Sequence, residues 1–466
     1  MGIIPSASYS ITVRLEVPSE GLPPSQLTSA VESVGGMVTA FDVTAARGDR
    51  LQIDLTIAAP DADHEERITE ALAAVEGVQV GKVSDRTFLL HLGGKIEVTS
   101  KVPLRNRDDL SMAYTPGVAR VSLAIAKRPE DVRRLTIKRN TIAVVTDGSA
   151  VLGLGNIGPA AALPVMEGKA ALFKRFAGID AFPICLDTQD TEEIIRTVQV
   201  LSPVFGGINL EDIAAPRCFE IERRLRKLLD IPVFHDDQHG TAIVVLGALT
   251  NALRVVDKKL EDVRIVLSGA GAAGNAILHL LLEAGATDVV VGDVNGIVHA
   301  DRGNLDDSLA WIAANTNRRG LTGPLGAACK DADVFIGVSV ADILTEADVA
   351  SMAPRSIVFA LANPDPEIDP TLARRHAAVV ATGRSDYPNQ INNVLAFPGV
   401  FRGLLDAQSH TIPVSALIAA AYALADVVGE DERQANYIVP SVFHPDLATT
   451  VAAAVSKAVT DAGADA

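Results

Sequence analysis

The chain has 466 residues, of which 48% are hydrophobic and 21% are charged. This composition excludes a disordered chain and predicts a globular protein of about two to four domains. The formal net charge of −17 argues against nucleic acid or an anionic membrane surface as a partner.

Cysteine usage and the apolar segments indicate a cytoplasmic protein. The three cysteines are far apart and form no CxxC pair, which argues against a disulfide framework or a zinc cluster. We see no secretory leader at the N-terminus. The most apolar stretch, at about residues 414 to 428, is shorter than the ~20 residues that a span needs, and we predict a buried helix there.

Residues 1–92 read as a small separate unit. Strand-like SITVRLEV is followed by helical PSQLTSAVESVG, then by the strands MVTAFDVT and RLQIDLTIA, helical HEERITEALAAVEG, and a closing strand in VQVGKVSDRTFLLHL. This β-α-β-β-α-β order predicts a ferredoxin-like fold and resembles an ACT-type regulatory domain.

The remainder alternates strands and helices, which predicts α/β domains with parallel sheets. We place one domain at residues 95–238, with strands in TIAVVT, AFPICL and IPVFH. A second domain, at 239–466, has strands in VRIVLS, DVVVGD, DVFIGV, SIVFALA and AAVVATG, followed by alanine-rich helices. The second domain reads as a Rossmann-type fold.

A glycine motif opens that second domain. Gly269, Gly271 and Gly274 form GxGxxG between the strand VRIVLS and a helical segment, where such glycines allow a tight turn and close approach of a pyrophosphate. Asp293 ends the next strand and can accept from a ribose hydroxyl. Because no basic residue follows until Arg302, a 2′-phosphate would meet a carboxylate and no cation, which favours NAD over NADP.

A second GxGxxG is formed by Gly153, Gly155 and Gly158. Pro159 and Pro164 complicate the helix that should follow, and no acid closes a second strand at the right distance. We interpret this segment as a backbone loop that borders the active site.

Two pairs of adjacent acids follow strand-like segments. They are Glu211–Asp212 and Asp236–Asp237. Ligands bind at the carboxyl ends of parallel strands, and adjacent carboxylates are tolerated best when they share a cation. Oxygen ligands without thiolates favour Mg²⁺ or Mn²⁺. From composition alone, solvated loop acids explain each pair equally well.

Tyr114 and Lys169 are candidate proton-transfer residues. Tyr114 lies in AYTPGVA, and by itself it indicates an aromatic side chain packed under a loop. Lys169 lies in the apolar segment PVMEGKAAL, where desolvation and neighbouring cations would lower the pKa of its amine towards that of a useful base. An ordinary helix lysine is the commoner case.

Taken together, these segments resemble malic enzyme, in particular the shorter bacterial type. The matching segments occur in order from about residue 95 to 450: AYTPGVA, VTDGSAVLGLGNIGPAAALPVMEGKAALFKRFAGID, NLEDIAAP, VFHDDQHGTA, LSGAGAAG, ALANPDPEI and INNVLAFPGVFRG. Only about the first 90 residues lie outside the resemblance.

The resemblance implies a role for each matching residue. Tyr114 would be the general acid and Lys169 the general base, with Asp236 beside it. Glu211, Asp212 and Asp237 would hold Mg²⁺ or Mn²⁺. NAD would be bound by Gly269, Ala270, Gly271, Ala272, Ala273, Gly274, Asp293 and Asn363, and malate by Asn363 and Asn392 or Asn393.

The implied reaction is oxidation and decarboxylation of (S)-malate to pyruvate by a homodimer or larger homo-oligomer. One departure is that Ser149 and Ala150 stand where larger family members have a substrate-binding arginine, so another group must bind that carboxylate. Two alternatives remain. One is malolactic conversion with retained NAD, and the other is a metabolite sensor whose ACT-like unit binds an effector beside a relic enzyme domain.

Overall fold

The computed structural model describes residues 6–59, 61, 63–303 and 305–464. The chain divides into two compact units, Met1–Thr99 and Ser100–Ala466. The predicted division of the second unit near residue 238 stays a prediction.

The first unit is an antiparallel sheet with helices. Its elements are β1 (Ser6–Pro18), α1 (Pro24–Ser33), β2 (Met37–Arg47), β3 (Arg50–Ala59), α2 (His64–Ala73), β4 (Gln79–Asp85) and α3 (Arg86–His91). The strand order β2-β3-β1-β4 confirms the predicted ferredoxin-like arrangement. Alternate residues of β1, such as Val13 and Leu15, are buried against Ile68 and Leu72 of α2.

The end of this unit differs from the prediction. The sequence RTFLLH was expected to continue the closing strand, but it forms the short helix α3. The reason is local, because the Asp85 side chain accepts hydrogen bonds from the backbone N–H groups of Thr87, at 2.6 Å, and Phe88, at 3.1 Å. An aspartate in this position caps the first turn of a helix.

The second unit begins with three helices and a parallel sheet. Its elements are α4 (Arg107–Ala113), α5 (Val118–Lys127), α6 (Asp131–Leu135), β5 (Thr141–Thr146), α7 (Pro159–Ala177), β6 (Asp180–Cys185), α8 (Thr191–Leu201), β7 (Gly207–Leu210), α9 (Arg217–Leu228) and β8 (Val233–His235). The strand order is β6-β5-β7-β8, and all three pairings are parallel. A π-helical turn, Asp236–Gly240, then leads into α10 (Thr241–Val255).

A second sheet follows α10. Its elements are β9 (Arg264–Ser268), α11 (Ala272–Glu283), β10 (Asp288–Asp293), β11 (Gly296–Ile297), α12 (Asp307–Asn315), α13 (Gly326–Cys329), β12 (Val334–Gly337), α14 (Glu346–Ala350), β13 (Ile357–Ala360), α15 (Pro370–Ala373) and β14 (Val379–Thr382). The order β11-β10-β9-β12-β13-β14, with β9 parallel to both neighbours, confirms the Rossmann-type prediction.

Three helices complete the unit: α16 (Phe397–Asp406), α17 (Val414–Asp426) and α18 (Leu447–Ala464). α17 packs against α10 and α18, so the apolar stretch forms the predicted buried helix. Within the described ranges, no helix is both long and apolar enough to cross a membrane.

The first parallel sheet determines where the acidic residues lie. β5, β7 and β8 are parallel, so their carboxyl ends lie at one edge of the sheet. Asp147 follows β5, Glu211 follows β7, and Asp236 follows β8. This edge therefore brings together carboxylates that are far apart in the sequence.

Candidate active site

Lys169 forms the centre of the site. It lies in the middle of α7, its side chain is 10% exposed, and its Nζ is 2.6 Å from Asp236 Oδ2 and 2.9 Å from Glu211 Oε1. The ammonium group also lies over the ring of Phe397, 4.1 Å from the centroid. Lys169 is therefore not an ordinary surface lysine of a helix.

The pKa of Lys169 moves in the direction opposite to the prediction. Burial lowers the pKa of the amine, but the charges of Asp236 and Glu211 outweigh burial, and the net pKa is raised. The prediction assumed neighbouring cations, whereas the groups in contact with Nζ are carboxylates. Lys169 is thus a protonated ammonium group in the structure described.

Glu211, Asp212 and Asp237 form the predicted carboxylate cluster. Each offers one oxygen, and these oxygens lie within 4.8 Å of one another. The Asp212 Oδ2 atom is buried and has no hydrogen-bond partner among the described residues. Asn209 orients the cluster from behind, because its Nδ2 donates to Glu211 Oε2 at 2.8 Å.

The electrostatics of the cluster fit a divalent cation. Burial and the charge of Asp237 raise the pKa of Asp212 to about 7, and burial raises the pKa of Glu211 well above its usual value. Both shifts mean that the ionised carboxylates lack a sufficient counter-charge. A hard cation with oxygen ligands, such as Mg²⁺ or Mn²⁺, would supply that charge, so the residues present fit the implied metal.

The three predicted asparagines have different positions. Asn393 contacts the site, since its Nδ2 donates to Asp236 Oδ2 at 3.2 Å and its Oδ1 accepts from the Thr241 hydroxyl at 3.0 Å. The Oδ1 of Asn392 instead accepts from the Val394 backbone N–H at 3.0 Å. Asn363 is exposed beyond the carboxyl end of β13. Of the three asparagines, Asn393 is thus the one that the described hydrogen bonds join to Asp236.

The loop around Ser149 is hydrogen-bonded to the backbone of the carboxylate cluster. The Ala150 N–H donates to the carbonyl of Asp212 at 3.0 Å, which places Ala150 at the border of the cluster. A positively charged side chain also lies here. The Arg217 guanidinium group donates to Asp147 Oδ2 at 2.6 Å and to Ser149 Oγ at 3.1 Å. This guanidinium group is already engaged by the buried Asp147.

The glycine loop of the second sheet has the geometry of a dinucleotide site. A Cβ on Gly274 would lie 1.9 Å from the carbonyl oxygen of Gly269, so the turn leaves no room for a side chain at position 274. Gly271 has open space around the same position, and α11 begins directly after it. The free N–H groups at this helix start can therefore face a pyrophosphate. Ala270 lies in the loop, and Ala272 and Ala273 form the start of α11.

Asp293 has a partner that the sequence interpretation did not pair with it. Arg302 holds both of its oxygens, at 2.9 and 2.8 Å, and both side chains are largely buried. Burial raises the pKa of Asp293, but Arg302 and the Asn295 N–H outweigh it and lower the pKa. The prediction that a 2′-phosphate would meet no cation is therefore wrong, although that cation is neutralised by the carboxylate.

Tyr114 is not brought into this cluster. It follows α4, it is 69% exposed, and no hydrogen bond joins its side chain to Lys169 or the carboxylates among the described residues. The structure of one chain therefore groups Lys169 with the carboxylates but leaves Tyr114 apart.

Three contributing residues were missed by the sequence interpretation. Asn209 is a buried polar residue in the apolar strand β7, two positions before Glu211, and that pattern could have identified it. No neighbouring residues in the sequence indicated the roles of Phe397 and Arg302. The partner of Phe397, Lys169, is far away in the sequence, and the partner of Arg302, Asp293, lies across a turn.

These features define a class of protein. α11, which begins at the glycine loop, packs against the π-helical turn that carries Asp236 and Asp237. A dinucleotide loop placed beside a buried lysine and an oxygen-rich cation site is the arrangement of a metal-assisted, nicotinamide-dependent oxidoreductase.

The comparisons identify the family within that class. Models of the malic enzyme N-terminal domain and of the malic enzyme NAD binding domain match residues 93–226 and 238–460. The NAD-dependent malic enzyme of Geobacillus stearothermophilus is 54% identical over 98% of this chain and 96% of that protein. The chain belongs to the malic enzyme family.

Two further proteins show the same relationship. The bifunctional malic/malolactic enzyme of Bacillus subtilis (strain 168) is 55% identical over 82% of this chain and 94% of that protein. The crystal structure of the NAD-dependent malic enzyme of Thermotoga maritima has a TM-score of 0.77 and 49% identity, covering 80% of this chain and 99% of that one.

The raised pKa of Asp212 predicts a pH-dependent stability. Because the folded-state pKa of about 7 exceeds the unfolded value, the metal-free protein loses stability as pH rises through about 7. Added Mn²⁺ should stabilise the protein more at about pH 8 than at about pH 5, since its ligands must be deprotonated. Thermal unfolding with EDTA or with Mn²⁺, measured from about pH 5 to about pH 8, tests this prediction. The Asp212→Asn variant should lose this part of the slope, and an unchanged slope would contradict the assignment.

The Asp293–Arg302 pair predicts a change in cofactor preference. The Asp293→Ser substitution removes the carboxylate and frees the guanidinium group for a 2′-phosphate. The ratio of kcat/KM for NADP to that for NAD should rise by about ten-fold or more, which corresponds to roughly 1.4 kcal/mol. Steady-state kinetics measures this ratio. The double variant Asp293→Ser/Arg302→Ala is the control, and an equal ratio in both variants would show that Arg302 has no part.

Proposed function

We propose that this chain catalyses the oxidative decarboxylation of (S)-malate to pyruvate and carbon dioxide with reduction of NAD, using Mg²⁺ or Mn²⁺. One observation carries the proposal: Lys169 is paired with Asp236 and Glu211 at the edge of the carboxylate cluster. The close relatives named as NAD-dependent malic enzymes support it.

Glu211, Asp212 and Asp237 would hold the cation. When bound, the cation would supply Lewis-acid stabilisation of negative charge on the substrate oxygens, and NAD would supply the hydride acceptor. Asn209 fixes the direction of the Glu211 carboxylate through a 2.8 Å hydrogen bond. The protein thus supplies placement and charge.

Lys169 would accept the proton of the C2 hydroxyl as the general base. As an ammonium group with two carboxylate partners it cannot accept a proton. The charge of Glu211 contributes to the raised pKa of Lys169, so a Glu211 carboxylate that held a cation would raise that pKa less, and Asp236 would remain the anionic partner of Lys169. Asn393 donates to the same Asp236 oxygen that pairs with Lys169, and so holds that carboxylate in place.

Tyr114 would protonate C3 after carbon dioxide leaves, as the family resemblance implies. The role stays a proposal, because the tyrosine is exposed in a single chain. A Tyr114→Phe variant that kept full pyruvate formation would exclude it.

A homo-oligomer, at least a dimer, is part of the proposal. Several large apolar side chains near Tyr114 are exposed by half or more: Val102, Leu104, Leu110, Met112 and Leu123. Exposed apolar surface of this kind is typical of an interface, and covering it with a second copy would also shield Tyr114 from water. A monomeric mass in light scattering would contradict this.

The first unit would be a regulatory domain that binds a small-molecule effector. The ferredoxin-like strand order supports the ACT-like interpretation. Kinetics that respond to candidate effectors equally well after deletion of residues 1–92 would argue against it. We also propose a cytoplasmic location, in keeping with three free cysteines.

Malolactic conversion is the second candidate function. The Bacillus subtilis relative, at 55% identity, is named a bifunctional malic/malolactic enzyme. In that reaction retained NADH would reduce pyruvate to lactate. Free NADH would then not accumulate, and lactate would be the product.

The central test is an assay with malate and Mn²⁺ that follows NADH or NADPH and identifies the product. We expect pyruvate with NAD, and a fall of about 10²- to 10⁴-fold in kcat for Lys169→Ala, the usual contribution of an acid–base group. Lys174→Ala is the matched control, because Lys174 lies on the same helix and is exposed. Equal activity of wild type and Lys169→Ala would refute the role of Lys169.

A further inference from the structure

Glu222 is a buried carboxylate with no part in the chemistry above. It lies on α9 and is 6% exposed, whereas the side chain of Glu220 on the same helix is 50% exposed. A charged group is buried at a considerable cost unless it is well paired. Its partners therefore indicate what it does.

The partners of Glu222 come from the π-helical turn and from its own helix. Nε2 of His239 lies 2.8 Å from Oε1, Nε2 of Gln238 lies 3.4 Å from Oε2, and the Arg226 guanidinium group is 2.9 Å away. Because an ionised carboxylate only accepts, His239 must be the donor. Burial raises the pKa of Glu222, but His239 and Arg226 outweigh burial and lower it to about 2.

The π-helical turn has two functional sides. Asp236 pairs with Lys169 and Asp237 belongs to the carboxylate cluster, while Gln238 and His239 contact Glu222. Single π-helical turns are uncommon and are frequent at functional sites. Contacts on both sides therefore fix this turn: Lys169 pairs with Asp236 on one side, and Glu222 contacts Gln238 and His239 on the other.

Further contacts connect α9, which carries Glu222, to the strand before the turn. Nε of Arg226 donates to the carbonyl of Val233 at 3.0 Å, which ties α9 to β8, the strand that leads into the turn. The His239 ring also lies 5.6 Å from the buried ring of Phe234. Helix, strand and turn are thus joined around one carboxylate.

We propose that Glu222 is a positioning residue, which aims Asp236 and Asp237 at the site by anchoring Gln238 and His239 behind them. This inference rests on the proposed function, because it takes Asp237 to be a metal ligand. Removal of a group that orients a metal ligand typically costs about 10- to 100-fold in metal affinity.

The test is direct Mn²⁺ binding to the full-length chain by isothermal titration calorimetry, without substrate. The Glu222→Gln substitution keeps the shape and one acceptor oxygen but removes the charge. We expect its Kd for Mn²⁺ to rise by about ten-fold or more, with NADH binding unchanged. Glu220→Gln, on the same helix, is the matched control and should bind Mn²⁺ like wild type.

The outcomes separate this inference from the proposed function. If wild type does not bind Mn²⁺, the proposed metal site itself fails. If wild type binds and a folded Glu222→Gln variant, checked by circular dichroism, binds equally well, the positioning role is wrong. If Glu222→Gln does not fold, His239→Gln decides, because loss of the anchored ring should weaken Mn²⁺ binding to a similar extent, and an unchanged Kd would overturn the inference.

Discussion

The ion pairs of Lys169 hold the active site together. Glu211 and Asp236 both direct an oxygen at its Nζ, and Glu211 also belongs to the carboxylate cluster with Asp212 and Asp237. Four carboxylates at one sheet edge would repel one another strongly if they were uncompensated. The buried ammonium group of Lys169 neutralises part of this negative charge. The negative charge that remains makes the cluster suited to a divalent cation.

Glu211 belongs to both the Lys169 ion pair and the carboxylate cluster, so in the proposed mechanism it would couple metal binding to proton transfer. The same carboxylate that would hold a cation also raises the pKa of Lys169, so engagement of one changes the other. Asp236 remains as the second partner of the lysine and is held by Asn393. In the proposed mechanism the base would become available where the cation is bound, which would place both at the same point of the substrate.

Sequence reasoning predicted the fold well where patterns are local. The ferredoxin-like order of the first unit, the glycine loop at Gly269 and the burial of α17 all follow from periodicity and turn residues over short distances. It was wrong at RTFLLH, where one side-chain cap at Asp85 converts a strand-like segment into a helix. It was also wrong about the surroundings of Asp293, because the return of Arg302 across the turn is a tertiary contact.

By itself, the sequence determined which chemical groups are present: the paired acids, the lysine in an apolar segment, the glycine loop and the motifs of the malic enzyme family. Only the tertiary structure decided which of them meet. Parallel pairing of β5, β7 and β8 brings the acids to one edge, and the packing of α7 on that sheet brings Lys169 to them. The pKa of Lys169 is set by those contacts, because an electrostatic shift depends on distance and burial, and neither is visible in a linear chain.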